Sequence, residues 1–329
     1  MPFYFIEISI IKTMRKIIAV GDLHGDVHRL IRILKEESVI DEITLQWTST
    51  AEKCDLVLLG DYVDWRGEPL EAPYLEWPQG VKKLIEFIYS LFQQNSRLRE
   101  EKNFQGRFYP LLGNHEGMML EGFEIINKLS DSKNKSLQLF QTASDWVDFF
   151  TKESLSLKEE EQLMRFLNWY EQGGDKTIQS FGDLHSWVKM MEGEIGNFLR
   201  ALPLGVVVNE KLFCHSVPDD KSCWVPIYKY ELPSDGHGKR IRDQFLWGRK
   251  LWGYDAFLGA PTKAFTEKEV DEMLEKMEVK GVFVGHTSLH KSKPFHLFGG
   301  KIVNLDTHGI PGSQAYVEEY EEKVSQMEN

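Results

Sequence analysis

Apolar and polar positions alternate in blocks over the first third of the chain, where three short apolar runs each end in a polar loop. The runs cover residues 16–20, 55–59 and 107–112, and their length and β-branched content are typical of buried strands. Residues 27–37 and 81–92 place apolar side chains at helical spacing between these runs. Three successive strand–loop–helix units predict an α/β fold whose polar loops collect at the carboxyl ends of its strands.

The middle of the chain, residues 118–202, has aromatic and leucine positions at helical spacing and almost no strand signal. Ser156 and Glu159 have the spacing of a capping box, and Gly173 with Gly174 would end the helix that follows. We interpret this stretch as a helical insertion over the candidate site. Helices that only cover one face of the sheet would explain the pattern equally well.

The last third of the chain returns to strand patterns. A helix is predicted to begin after Thr266, because Glu269 completes a capping box with it. No internal repeat, low-complexity tract or proline-rich linker divides the chain, so we expect a single domain over residues 1–329. Four strands are predicted here, the first two as a hairpin, at residues 205–209, 211–214, 281–284 and 301–305.

The N-terminal residues could be a membrane span, a signal peptide or part of the fold. Residues 3–11 are apolar but are interrupted by Glu7, and they are too short to span a bilayer. They also lack the small-residue cleavage pattern of a signal peptide. We therefore treat residues 1–13 as an N-terminal extension, which is either an additional edge strand or a loose segment.

Charge and cysteine content narrow the classes of partner. The chain has 39 Lys and Arg against 51 Asp and Glu, a formal net charge of -12, which opposes non-specific binding to nucleic acids. Its three cysteines form no Cys-x-x-Cys pair, and their odd number fits a reducing compartment better than a disulfide framework. We therefore expect a cytoplasmic protein without a nucleic-acid or membrane partner. Its oligomeric state stays open.

Side chains that bind metals recur where the predicted strands end. Asp22 and His24 are separated by one residue, so both can point to the same side of an extended strand end. This pair alone is weak evidence, because a capping Asp beside a solvated His would explain it as well. Carboxylate, amide and imidazole groups gathered at one edge suit divalent transition metals, and a carboxylate can bridge two ions about 3.5–4 Å apart. Further residues of these types end the other strands, namely Asp61, Asn114, His215 and His286.

Five motifs occur in the order that is found in a known family. They read Gly-Asp-Leu-His-Gly at 21–25, Gly-Asp-Tyr-Val-Asp at 60–64, Gly-Asn-His-Glu at 113–116, Cys-His at 214–215 and Gly-His-Thr at 285–287. The series resembles the calcineurin-like metallophosphoesterases and, more narrowly, the bacterial and phage serine/threonine phosphatases of their phosphoprotein phosphatase branch. The last motif lacks the second histidine of the Gly-His-x-His form, which favours that branch.

The resemblance implies a metallophosphoesterase fold, a four-layer α/β/β/α sandwich with two mixed β-sheets and a helical insertion. It also implies two divalent metal ions; we expect manganese, with iron or zinc as alternatives. The first metal would be bound by Asp22, His24 and Asp61. The second would be bound by Asp61, which both metals share, and by Asn114, His215 and His286.

The resemblance further assigns His115 as the general acid that protonates the leaving oxygen, with Asp64 holding its imidazole. Glu116 is interpreted as an anchor that takes no part in the chemistry. Arg66 and Arg249 would contact phosphate, because a forked guanidinium suits phosphate oxygens. In this sequence Trp65 separates Asp64 from Arg66, where the family has Asp-Arg-Gly.

The implied activity is that of a phosphomonoesterase in which a hydroxide, made available by the metals, attacks phosphorus directly. We favour a protein serine/threonine phosphatase, with phosphotyrosine as a further substrate, that acts on phosphoproteins or small phosphoesters. A diadenosine tetraphosphatase or another nucleotide phosphohydrolase has the same motifs and is the alternative. A non-catalytic binding module is a third hypothesis, which the six intact ligand positions disfavour. The sequence has no P-loop and no nucleophile elbow that would indicate nucleotide-driven work or acyl transfer.

Overall fold

Strands and helices alternate along the chain in a computed structural model, which describes residues 8–65, 67, 71, 79–229 and 231–327. The strands are β1 (Ile8–Val20), β2 (Cys54–Leu58), β3 (Arg107–Pro110), β4 (Gly205–Val208), β5 (Lys211–Cys214), β6 (Tyr254–Asp255), β7 (Ala260–Pro261), β8 (Gly281–Val284), β9 (Phe295–Leu297), β10 (Ile302–Asn304) and β11 (Tyr316–Met327). The helices are α1 (Val27–Glu36), α2 (Gln79–Lys102), α3 (Asn114–Ser132), α4 (Ala143–Phe150), α5 (Leu157–Trp169), α6 (Asp175–Ser180), α7 (Leu184–Glu192), α8 (Glu194–Arg200), α9 (Gly236–Trp247) and α10 (Glu267–Met277).

Most of the strands belong to two mixed sheets. The first has the order β11-β1-β2-β3, in which β1, β2 and β3 are parallel and β11 is antiparallel to β1. The second has the order β4-β5-β8-β10-β9, with three parallel strands in the centre and an antiparallel strand at each edge. The loops that follow the parallel strands therefore gather at one end of each sheet.

Three apolar layers hold these elements together. Ile17 and Val57 of the first sheet pack between the sheets with Phe213 and Phe283 of the second, whose rings stack at 4.7 Å. Successive residues of β1 alternate in direction, so that Ile17 faces the other sheet and Ile18 faces the helices. α1 to α8 cover the outer face of the first sheet, and α9 and α10 cover that of the second. The expected four-layer α/β/β/α sandwich is confirmed.

Local sequence signals account for several element ends. The predicted capping boxes are present at Ser156 and Thr266, where the cap backbone N–H donates to the carboxylate of Glu159 or Glu269 at 2.8–2.9 Å. The predicted hairpin is confirmed in the antiparallel pair of β4 and β5. These elements were predictable because their signals lie within a few residues of one another.

β1 is longer than the sequence pattern predicts. It begins at Ile8 rather than at residue 16, because β11 pairs with it from its first residue, where Ile8 lies opposite Met327. Glutamates interrupt the apolar alternation of β11, which conceals the strand in the sequence. Residues 8–13 of the proposed extension belong to β1, and residues 1–7 lie outside the described residues.

Between β3 and β4 the chain forms helices and their connections, including a π turn at Tyr170–Gly174 between α5 and α6. The apolar cluster that holds these helices continues onto the outer face of the first sheet. None of the helices in the described ranges combines the length and the apolar content that a membrane span requires. The largest buried side chains of the helical region are aromatic, namely Trp146, Phe150, Phe166, Trp169 and Trp187.

A buried ion pair joins the strands of the first sheet at the end away from the polar loops. Asp55 accepts two hydrogen bonds from Arg15, both at 2.9 Å, and a third from the hydroxyl of Tyr320 at 2.8 Å. The side chains of Arg15 and Asp55 are only 2% and 0% exposed. Each charge is compensated mainly by the other, with Glu322 3.6 Å from Arg15 and Arg107 3.6 Å from Asp55 as further partners, and the pair constrains the pairing of β1, β2 and β11.

Asp55→Ala is expected to lower the free energy of unfolding by about 3–5 kcal/mol, because it removes the carboxylate that is hydrogen-bonded to the buried Arg15 guanidinium and leaves only Glu322, at 3.6 Å, as a counter-charge. Urea unfolding monitored by circular dichroism measures this change. The control is the exposed pair of Lys12 and Glu321, whose side chains are 60% and 50% exposed. Glu321→Ala should cost less than about 1 kcal/mol. Equal losses in the two variants would contradict the role of the buried pair.

Candidate metal centre

The six predicted ligands follow the carboxyl ends of parallel strands and meet between the two sheets. The first sheet contributes residues from the loops after β1 and β2 and from the start of α3, directly beyond β3. The second contributes residues that follow β5 and β8. In chain order these residues are Asp22, His24, Asp61, Asn114, His215 and His286.

Four residues of this region have a backbone in the left-handed conformation. The φ angle is 43° at His24, 53° at Asp61, 63° at Asp64 and 66° at His286. Each such residue costs on the order of 1–3 kcal/mol, and this strain persists only where the surroundings impose it. The conformation turns the chain sharply after a strand, so the side chain projects over the end of the sheet.

Asp61 belongs to two groups of metal-binding side chains. Its Oδ2 lies 3.6 Å from Nε2 of His24 and 3.4 Å from Nε2 of His215. Ligand atoms of Asp61, His215 and His286 lie within 4.8 Å of one another, and so do those of Asp61, His24 and His115. One carboxylate that faces two sets of nitrogen donors is an arrangement that suits a pair of divalent ions.

Asn114 completes the group that contains His215 and His286. Its Oδ1 lies 2.7 Å from Nε2 of His215 and 2.9 Å from Nδ1 of His286. His215 is oriented through its other ring nitrogen, because Nδ1 donates to the carbonyl of Leu59 at 2.9 Å. The structure thus brings together all four side chains that the sequence assigned to the second metal.

The first group differs from the expected one in one member, since His115 occurs in it and Asp22 does not. The Asp22 carboxylate instead accepts a hydrogen bond from the backbone N–H of His286, which lies 3.1 Å from each oxygen. Gly285 permits this approach, because a Cβ at that position would lie 2.2 Å from Oδ1 of Asp22. Asp22 therefore lies where the two sheets meet, against the backbone of a predicted ligand.

The ring of His115 contacts a carboxylate, which distinguishes it from the ring of His24. Its Nδ1 lies 2.9 Å from Oδ2 of Asp64. By contrast, Nδ1 of His24 contacts the backbone carbonyls of Val63 and Asp64, at 2.8 and 2.9 Å. A carbonyl fixes the tautomer of a neutral imidazole, whereas a carboxylate also stabilises the imidazolium. His115 and Asp64, paired in the sequence-based interpretation, are therefore in contact and form a unit distinct from the other histidines.

Glu116 organises the loops around Asp61. Its buried carboxylate accepts hydrogen bonds from the backbone N–H groups of Asp61, Tyr62 and Gly113, at 2.8, 2.7 and 3.0 Å. These donors lie on the loops that follow β2 and β3. The contacts agree with the interpretation of Glu116 as an anchor, because they fix backbone rather than reach into the cluster of ligands.

Arg249 lies beside the second group of ligands. Its Nε donates to Nε2 of His286 at 3.0 Å, and its Nη2 donates to the carbonyl of the same residue at 3.4 Å. Trp247 borders the same side, with its ring centroid 5.9 Å from that of His286. The other predicted phosphate-binding residue, Arg66, lies outside the described residues.

Two residues at the centre were missed by the sequence-based interpretation. Arg29, buried on α1, donates to the carbonyl of Asp22 at 2.6 Å and to the hydroxyl of Thr307. The ring of His308 lies 4.6 Å from the ring of His24. His308 could have been found from the sequence, because it lies shortly after the last predicted strand, as the predicted ligands do. Arg29 could not, because an arginine in an amphipathic helix usually faces solvent.

Burial and neighbouring charges shift the pKa values of the centre. Burial, together with the charges of Asp306 and Asp61, holds the pKa of Asp22 well above its usual range. Burial lowers the pKa of His24 to about 3, with the nearby His308 and His115 acting in the same direction. Burial also opposes the charged form of His215, but Asp61 outweighs it and raises the pKa of His215 to about 10. Without metal ions, His215 is therefore protonated at neutral pH.

The donor set fits divalent transition metals. Imidazole nitrogens, carboxylate oxygens and an amide oxygen are their usual protein ligands, and here they converge in a buried site. Burial raises the pKa values of Asp22 and Asp306, the charge of Asp61 acts on both in the same direction, and cations beside them would relieve this repulsion. The residues present therefore suit a pair of bound cations.

Metal binding is expected to release protons, because a ligand must be deprotonated to bind and the pKa values of His215 and Asp22 are raised in the metal-free protein. Affinity for Mn²⁺ should accordingly rise with pH between about 6 and 9. Isothermal titration calorimetry in buffers of different ionisation enthalpy counts the released protons. A binding enthalpy that does not depend on the buffer would contradict the expectation.

Comparisons with known proteins concern the family and the fold of this chain. A family model described as calcineurin-like phosphoesterase matches residues 15–289. Shewanella-like protein phosphatase 2 of Arabidopsis thaliana is 30% identical over 132 residues, which are 40% of this chain and 27% of that protein. The match thus spans well under two thirds of that relative.

Solved structures show a similar fold. A cold-active protein tyrosine phosphatase solved at 1.1 Å has a TM-score of 0.52 and 22% identity, covering 93% of this chain and 74% of its own. The cold-active protein-tyrosine phosphatase of a psychrophilic Shewanella species gives the same TM-score and identity, with 93% and 75% covered. At this identity the likeness concerns the fold alone. The family model, in contrast, matches most of the sequence, and the chain belongs to the calcineurin-like phosphoesterase family.

Proposed function

We propose that this chain is a phosphatase with a dinuclear metal centre that hydrolyses phosphomonoesters on proteins, at serine and threonine and also at tyrosine. The observation that carries the proposal is the position of Asp61, whose carboxylate faces His24 on one side and His215 on the other. The paired His115 and Asp64 lie directly beside it. A carboxylate shared by two metal ions and a histidine that carries a proton suit metal-dependent phosphoester hydrolysis, in which one part activates the nucleophile and the other protonates the leaving oxygen.

Two ions would be held by the six residues predicted from the sequence. Asp22, His24 and Asp61 would bind the first ion, and Asp61, Asn114, His215 and His286 the second. Manganese is proposed, with iron and zinc as alternatives, because this donor set accommodates all three. When bound, the ions supply a nucleophile at neutral pH and neutralise charge on the phosphoryl oxygens.

His115 is proposed as the general acid rather than as a ligand, although its ring is close enough to Asp61 and His24 to bind an ion. The reason is its partner. Asp64 accepts from Nδ1 of His115, which stabilises a proton on the imidazole and leaves Nε2 to donate to the departing oxygen. The rings of His24 and His215 contact backbone carbonyls instead, which orient a neutral imidazole but do not provide the negative charge that stabilises an imidazolium.

The class of substrate is supported by the relatives. The Arabidopsis protein is named a protein phosphatase and the Shewanella structure a protein-tyrosine phosphatase, so we propose phosphoproteins or small phosphoesters as substrates. A diadenosine tetraphosphatase remains the alternative and is an outcome of the test below. A cytoplasmic location is proposed because the cysteines, Cys54, Cys214 and Cys223, are free and buried.

Asp61→Asn is expected to lower the hydrolysis of p-nitrophenyl phosphate with Mn²⁺ at least about 100-fold, because mutating even the partners of metal ligands costs about 10–100-fold. Asp148→Asn makes the same chemical change at an exposed site on α4 and serves as the control. Protein that is inert with Mn²⁺, Fe²⁺ and Zn²⁺ on a panel of phosphoesters would favour a non-catalytic module. Cleavage of dinucleoside polyphosphates but not of phosphopeptides would overturn the proposed substrate class.

Arg249→Lys is expected to raise KM for phosphopeptides about tenfold, since a lysine cannot contact two phosphate oxygens as the forked guanidinium does. Steady-state kinetics measures KM and kcat. The assays use saturating Mn²⁺, and the metal content of the variant is measured by elemental analysis, because Arg249 donates to the ring of the proposed ligand His286 and such partners affect metal affinity. An unchanged KM would exclude Arg249 from the phosphate site.

A further inference from the structure

We propose that Trp169 and Thr177, both in the helical region between β3 and β4, are positioning residues that hold the Asp64 carboxylate against His115. The inference rests on the proposed function, because it concerns the proton-donating unit of that reaction. It assigns the helical region a part in catalysis in addition to its part in packing.

The contacts are direct and buried. The indole Nε1 of Trp169 donates to Oδ2 of Asp64 at 2.9 Å, and the hydroxyl of Thr177 donates to Oδ1 at 2.6 Å. The same hydroxyl accepts from the backbone N–H of Asp64 at 3.0 Å. Asp64 and Thr177 are 0% exposed and Trp169 is 1% exposed. Both carboxylate oxygens are therefore fixed by side chains of the helical region while Oδ2 also contacts His115.

The backbone between the two donors is shaped for this contact. In one continuous helix, residues eight apart would lie about 12 Å apart along the axis, too far to reach one carboxylate. The π turn at Tyr170–Gly174 ends α5 at Trp169 and starts α6 at Asp175, which brings the donors together. A helix that served only as a cover would not need this interruption.

Gly173 is the point of closest approach in this turn. Its φ is 110°, a conformation that side chains disfavour, and a Cβ there would lie 2.9 Å from the carbonyl oxygen of Trp65 and 3.0 Å from the carbonyl carbon of Asp64. The turn thus packs directly on the backbone of the loop that carries Asp64. Asp64 is therefore held both by the backbone contact of Gly173 and by the hydrogen bonds from Trp169 and Thr177.

Trp169 also connects this contact to the aromatic core of the helical region. Its ring lies 5.6 Å from that of Phe166 and 5.4 Å from that of Trp187. The indole therefore has few ways to move, and the orientation of Asp64 follows from the packing of the helices. A catalytic pair requires such support, because small errors in geometry reduce proton transfer.

The test compares two leaving groups in matched variants. Trp169→Phe and Thr177→Val remove one donor each and keep most of the shape. Both should lower kcat for a phosphoserine peptide about 10- to 100-fold, with KM nearly unchanged. The loss should be smaller for p-nitrophenyl phosphate, because its leaving group needs little protonation. Thr177→Ser, which keeps the hydroxyl, should restore activity toward that of the wild type.

Trp187→Phe is the control for the indole. Trp187 is also fully buried and touches Trp169, but among the described residues its Nε1 has no hydrogen-bond partner. Trp187→Phe should leave the ratio of the activities on the phosphoserine peptide and on p-nitrophenyl phosphate unchanged. If Trp169→Phe melts at a lower temperature than Trp187→Phe, the comparison of Thr177→Val with Thr177→Ser decides the question.

Equal losses on both substrates, or no loss in either variant, would overturn the positioning role. That outcome in an active wild-type enzyme would leave the proposed phosphatase function intact. A wild-type protein without activity on either substrate would instead contradict the proposed function itself. The two failures are therefore distinguishable in one set of assays.

Discussion

Buried carboxylates repel one another unless a positive charge lies among them, and this constraint shapes the centre of the molecule. Asp22, Asp61 and Asp306 are all buried where the ends of the two sheets meet. Hydrogen bonds fix the loops that carry them. For example, the Glu116 carboxylate accepts from the backbone N–H groups of Asp61 and Gly113. The sheets thus form a rigid frame that holds close together, at set distances, acidic groups that their mutual repulsion would otherwise drive apart.

The frame and the centre make opposite contributions to stability. Left-handed backbone at His24, Asp61 and His286 and the crowding of acidic groups are unfavourable. The apolar layer between the sheets and the ion pair of Arg15 with Asp55 are favourable, and the ion pair lies at the opposite end of the strands. Strained, polar residues are therefore confined to the loops, while the strands that carry them are held by ordinary packing. This separation is common where function requires unfavourable local geometry.

Sequence patterns predicted seven of the strands, β1 only in part, and the polar residues that follow them, because a strand and the loop after it are adjacent in the chain. The capping boxes were predictable for the same reason. The contacts of Trp169 and Thr177 with Asp64 were not, since they join residues 105 and 113 positions apart and an indole in a helix looks like core. β11 was missed because its glutamates interrupt the apolar alternation that marks a strand.

The pairing of β1 with β11 has a consequence for how the protein is made. The ribosome releases β1 early and β11 late, so one side of β1 has no partner strand while most of the chain is being synthesised. An unpaired strand of this length is a site at which nascent chains associate with one another. The first sheet therefore stays open at one edge until β11 has been synthesised, and the order of synthesis decides how long that edge is exposed.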